Sequence, residues 1–153
     1  YGRREISVDK KRDDIDTADM MRMLEKPDGM ERLHGFLFSK DSLRELFTPM
    51  LVQYMKRCRL SAEDLTRMLL LSRSYVYQLL QGERRPSRDV VIRLALIFHL
   101  SVDETQKLLR AAQRGALYPK VHRDACLIYC LEQKLDLQET CELLQRDQED
   151  PLL

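Results

Sequence analysis

Two groupings in the 153-residue chain combine residue types and spacings that permit chemistry. His122, Cys126 and Cys130 recur every four residues, which sets three metal-ligating side chains on one face of a helix, with Cys141 placed to approach from the following helix. The C-x2-C or H-x3-H pairing of a zinc site across a turn is absent, however. Small buried thiols account for the pattern, so no metal is expected. The second grouping is basic. Residues 49–88 hold 8 basic and 3 acidic groups (+5), against 10 and 11 in 1–48, 6 and 4 in 89–130, and 2 and 7 in 131–153. A positive patch of this kind, within a chain of net charge +1, is the footprint of a phosphate-binding surface.

Catalytic chemistry has little to stand on. The chain has no Gly-rich phosphate loop, no nucleophile elbow and no converging carboxylate pair, so neither an enzyme nor a cofactor is expected. Hydrophobic residues at 44% suffice for a core, and 33% charged residues give a well-solvated surface, which excludes bulk disorder. No run approaches the ~18 apolar residues of a membrane span, and the first thirty residues lack the apolar centre of a secretory signal. A cytoplasmic protein with no membrane partner is the expectation from Tyr1 onward. Four cysteines are too few for a disulfide scaffold and are expected as reduced thiols.

The elements that position these groups are helical. Five Gly, five Pro and no Trp leave few turn residues, which favours helices on short connections. Residues 1–14 read as a solvated tail, because Asp9, Asp13 and Asp14 cancel much of the charge of Arg3, Arg4, Lys10, Lys11 and Arg12. A short helix follows an Asp16 cap and breaks at Lys26-Pro27-Asp28-Gly29; a second begins near Asp41, and Thr48-Pro49 has the cap-then-proline signature of another. Ser61 caps a helix with acidic residues in its first turn. Ser72 caps the next, with Val76, Leu79 and Leu80 inward and Gly82 as its stop. Pro86-Ser87 opens a helix over 88–98 packed by Val91, Leu94, Ala95 and Phe98, which His99 closes by contact with the last carbonyls. Ser101 caps a helix to about residue 113.

Residues 88–110 then align without gaps, at an offset of 35, with 123–145, and eight of 23 positions are identical. Leu100 matches Leu135, Glu104 matches Glu139, Thr105 matches Thr140, and Leu108-Leu109 matches Leu143-Leu144. The physical meaning is a helical hairpin used twice, each copy stacking an apolar face on its neighbour. The echo sets Cys126 opposite Val91 and Cys130 opposite Ala95, both core positions.

Over 49–102 the chain resembles the lambda-repressor-like (Xre-type) helix-turn-helix family. The parts that match are a capped scaffold helix (61–68), a tight turn (69–71), a recognition helix (72–81), Gly82, two closing helices from 87, and the closing segment Leu94-Ala95 with Leu100-Ser101-Val102-Asp103. The resemblance implies an all-α, five-helix domain at 42–114; beside it the chain reads as a mobile N-terminal region with one short helix at 1–41 and a C-terminal helical hairpin at 115–153, the candidate dimerisation element. It also implies a DNA-binding transcriptional regulator, acting as a homodimer on double-stranded DNA. The recognition helix would enter the major groove with Arg73, Ser74, Tyr77 and Gln78 at base edges. Phosphates would be held by Ser72, Arg84 and Arg85, with Lys56 and Arg57 as weaker candidates. The alternative is a domain of this ancestry retired to protein contacts.

Three departures from the family pattern bear on that choice. Ala62 replaces the glutamine that often clamps a phosphate, Leu70 replaces the small turn residue and Thr66 the usual alanine after the scaffold leucine, and Met55 and Leu80 stand where an arginine and a glutamate often pair. Loss of both ionic partners together leaves the fold intact, whereas loss of one alone costs roughly 3 to 5 kcal/mol.

Overall fold

The computed structural model describes residues 21–22, 24–28 and 43–153. Among them are seven α-helices and no strand: α1 Thr48–Cys58, α2 Ala62–Leu69, α3 Arg73–Leu80, α4 Arg88–Ile97, α5 Val102–Ala111, α6 His122–Glu132 and α7 Leu137–Arg146. The expected Asp16 cap and the basic N-terminal tail lie outside the described residues.

The serine starts are realised as hydrogen bonds. Ser61, Ser72, Ser87 and Ser101 each sit in extended backbone and accept from the N–H three residues on, and Ser61 and Ser101 close reciprocal boxes with Asp64 and Glu104. The Thr48-Pro49 start requires correction. A π-helical turn, Leu43–Phe47, runs directly into α1, so Phe47 before it is already helical. Thr48 caps nothing, and its buried hydroxyl has no partner among the described residues.

One corner is used three times. After α1, α4 and α6 come Arg59, His99 and Lys134, all left-handed (φ 56°, 53° and 56°), then a leucine, then a capping Ser61, Ser101 or Asp136. At each, the leucine N–H reaches back to the carbonyl of Met55, Ala95 or Cys130, and the left-handed residue bonds to that of Lys56, Leu96 or Leu131. This is the Schellman closure, here built without glycine. His99 therefore ends α4 through its backbone N–H, and its carbonyl accepts from Lys134 Nζ at 3.1 Å.

The hairpin repeat is real in three dimensions and reaches beyond the aligned residues. Arg88 and Asp89 open α4; their counterparts Arg123 and Asp124 lie in the first turn of α6. The two pairs exchange partners: Arg88 grips Asp124 at 2.9 and 2.8 Å, and Arg123 grips Asp89 at 3.0 and 3.2 Å. Arg88 also donates to the carbonyls of Gly115 and Ala116, and Arg123 to those of Asp150 and Pro151, again 35 residues on. Buried Leu117 and Leu152 complete the two copies.

A single core runs from Leu43 to Leu152, so α6 and α7 share it with the helices before them. Met55 and Leu80, at the positions of the missing ion pair, pack against that core. Leu70 takes the left-handed turn position between α2 and α3 (φ 55°, ψ 38°) with 70% of its surface exposed. Gly82 has φ +70°, and a Cβ there would collide with Arg44 Cγ.

Asp124 is buried, and burial alone would raise its pKa. The Arg88 guanidinium and the Tyr118 N–H outweigh that and hold the carboxyl below its ordinary value. Its contribution is therefore present above the unfolded-state pKa of about 3.9 and disappears as pH falls through the folded value. Asp124→Asn should lower the free energy of denaturant unfolding at neutral pH by about 3 kcal/mol and flatten its decline below about pH 4. At the turn, Leu70→Gly should raise stability by up to about 1 kcal/mol, since little packing is lost and a left-handed Cβ is removed.

Candidate nucleic-acid interface

α3 turns Val76 and Leu79 into the core, each 1% exposed, and this fixes what faces outward. Arg73 and Ser74 are exposed, and Tyr77 and Gln78 are half-buried on the flank. The four base-contacting candidates thus lie on the side of α3 away from the core. Ser72, the candidate phosphate donor at the helix start, is exposed and accepts from the Tyr75 N–H at 3.1 Å.

None of the longer side chains stands alone. The Arg73 guanidinium lies over the Tyr77 ring, 5.2 Å from its centroid, with Nη2 3.5 Å from the hydroxyl oxygen. That hydroxyl donates to Glu63 Oε1 at 3.2 Å, which ties the first turn of α2 to α3. The Glu63 carboxyl is held below its usual value by its own backbone N–H first and then by the Tyr77 hydroxyl, with Arg73 adding to the effect. A carboxylate consequently sits beside the arginine expected to read bases.

On the other flank, Arg84 donates to Gln78 Oε1 at 2.7 Å and stacks over Tyr75, 5.0 Å from the ring centroid. The Gln78 amide oxygen is engaged, whereas bidentate pairing to adenine requires both its oxygen and its nitrogen. Glu63 and Arg84 come from α2 and from the loop after Gly82. Sequence periodicity within α3 carries no signal for either.

The basic window is less available than its count suggests. Arg85 turns inward, donating to the carbonyls of Ala112 and Gln113 at the end of α5. Burial lowers its pKa, with Arg114 adding to the effect. Arg57 pairs with Glu104 at 2.8 Å and lies over Tyr54, Arg67 pairs with Asp64 at 2.9 Å, and Arg88 belongs to the exchange with α6. Lys56 and Arg59 are exposed at the end of α1. The structure therefore groups Arg73, Ser74, Tyr77, Gln78 and Arg84 around α3, and holds Arg85 and Arg57 against other protein groups.

The histidine–cysteine grouping divides. Cys130 is fully buried, as a core thiol should be, and burial pushes its pKa up. Cys126 is also buried, but its sulfur lies 3.8 Å from His122 Nε2 and 3.5 Å from Asp147 Oδ2. Asp147 was invisible to helix periodicity, because it lies beyond α7 and only the hairpin brings it to α6.

Residues 51–108 match the family model described as a helix-turn-helix domain. That segment is a helix-turn-helix domain of the lambda-repressor-like (Xre-type) clan, a kind that points to DNA as a partner and is typically non-catalytic. No curated protein and no solved structure gives a significant match. Among the described residues, no helix is long and apolar enough to cross a membrane.

Arg85→Ala should cost about 2 kcal/mol in chemical unfolding, because it strips the α5 end of a charged donor. Arg84→Ala, on the exposed rim, should change stability by less than about 0.5 kcal/mol.

Proposed function

We propose that this chain is a sequence-specific DNA-binding transcriptional regulator that lays α3 in the major groove. The observation that carries the reading is the arrangement of Arg73, Ser74, Tyr77 and Gln78 on the flank of a capped helix that faces away from the core, inside a helix-turn-helix domain. In this reading Arg73 pairs with a guanine edge, Ser74 with either base type, Gln78 with adenine once Arg84 releases it, and Tyr77 with a thymine methyl or a phosphate. Ser72, Arg84 and Lys56 hold the backbone. A homodimer would set two such helices about one duplex turn (~34 Å) apart, with the acidic hairpin away from DNA.

Glu63 favours a second reading, a protein-interaction adaptor. It is a carboxylate bonded into the reading flank, in a domain where Ala62 also lacks the usual phosphate clamp. Salt separates the two. A regulator loses affinity steeply as salt rises, because each neutralised phosphate releases counterions, whereas an adaptor binds duplex weakly at all salt concentrations.

The test is selection of duplexes from random oligonucleotides, followed by fluorescence anisotropy over a salt series. Arg73→Ala should lose about 10- to 100-fold on the selected site, Lys56→Ala should weaken all sequences alike, and Glu63→Gln should tighten binding. Equal enrichment by the wild type and an Arg73→Ala/Gln78→Ala double variant rules out the role given to α3.

A further inference from the structure

We propose that His122, Cys126 and Asp147 form a binding site for a borderline-soft divalent cation, zinc in the first instance, with Glu149 orienting the histidine. The three donor atoms are already at coordination spacing: Nε2 to Sγ 3.8 Å, Nε2 to Asp147 Oδ2 3.4 Å, and Sγ to Asp147 Oδ2 3.5 Å. Donors about 2.0–2.3 Å from a tetrahedral zinc lie about 3.3–3.8 Å from one another. All three ligand atoms fall within 4.8 Å, so one ion can touch them without moving the backbone.

The histidine is also held as a ligand requires. Nδ1 lies 2.7 Å from Glu149 Oε1, and Nε2 faces Cys126 and Asp147, so that a cation taking the Nε2 lone pair displaces any proton there and leaves the Nδ1 proton bonded to Glu149. A carboxylate behind a metal-binding imidazole is the standard outer support of such sites. His122 and Cys126 are spaced i and i+4 on α6, and Asp147 and Glu149 follow α7, so the site joins the hairpin's two arms.

Without metal, His122 pairs with both carboxylates, Glu149 at 2.7 Å and Asp147 at 3.4 Å. Asp147 sits at the C-terminal end of α7, where the helix dipole disfavours an anion, and Glu149 adds a second carboxylate two residues on. A bound cation reverses that penalty. The donor set of one nitrogen, one sulfur and one oxygen suits zinc and excludes magnesium and calcium, which take oxygen ligands. The donors line an open cleft walled by Ala125, Tyr129, Leu143 and Arg146, which leaves a fourth position for water or a small anionic ligand. On binding, the Cys126 thiol gives its proton to solvent and ligates as thiolate.

The experiment is equilibrium dialysis of the purified full chain against zinc, with bound metal measured by elemental analysis, and titration with cobalt as a spectroscopic stand-in. One equivalent of zinc and a thiolate-to-cobalt charge-transfer band are expected. His122→Ala and Cys126→Ser should lose both, and Glu149→Gln should weaken zinc about 10- to 100-fold. Cys58→Ser and Cys141→Ser should bind as the wild type does. Asp147→Asn alters an exposed side chain and serves where a Cys126 variant fails to fold; it should also lose the metal. Absence of the cobalt band in the wild type, or wild-type zinc affinity in His122→Ala or Asp147→Asn, overturns the site.

Discussion

A helix that is apolar on every side has to be enclosed, and α4 is such a helix. Val90, Val91, Ile92 and all residues from Leu94 to Ile97 are buried, leaving only Arg88, Asp89 and Arg93 partly open. Helices α2 and α5 cover part of that surface and α7 covers another, while α6 packs on α5 and α7. The C-terminal hairpin is therefore part of what allows α4 to exist. Even the polar exception conforms: Arg93 donates to the carbonyls of Leu69 and Leu152, one from the helix-turn-helix side and one from the far end of the hairpin.

This asymmetry also explains how the two copies of the hairpin differ. In the first copy α4 is surrounded; in the second, α6 leaves Tyr129 53% exposed and turns Glu132 outward. The outer copy behaves as the cap of a two-unit stack, polar where nothing follows it in the described fold. Between α4 and α6 identity is kept at the ion-paired Arg and Asp and at Leu96/Leu131, while α5 and α7 keep the capping Glu, the Thr and the Leu-Leu pair of the buried face.

Helix starts were legible in the sequence because their chemistry is local: a serine or aspartate oxygen has only to reach an N–H three residues away. Helix ends were less so. Arg59, His99, Gln113, Lys134 and Gln148 all take left-handed backbone that glycine would usually supply, and Thr48, which has the residue type and the following proline of a cap, is none because the preceding turn is itself helical. Which flank of α3 faces outward could be read from Val76 and Leu79. What the side chains beside it grip could not, since the Glu63 bond to Tyr77 and the inward turn of Arg85 onto Ala112 join segments 14 and 27 residues apart. The same limit hid Asp147, 21 residues from Cys126 and adjacent to it only after the hairpin closes.

The crossed arginine–aspartate exchange links the hairpin to the segment that leads out of α3. Arg88 is the first residue of α4, and the loop carrying Arg84 and Arg85 ends just before it. A shift of α6 along its axis pulls on Asp124 and Arg123 together, and both are tethered to adjacent residues of α4. The tether to the hairpin thus lies within four residues of Arg84, the side chain that grips Gln78.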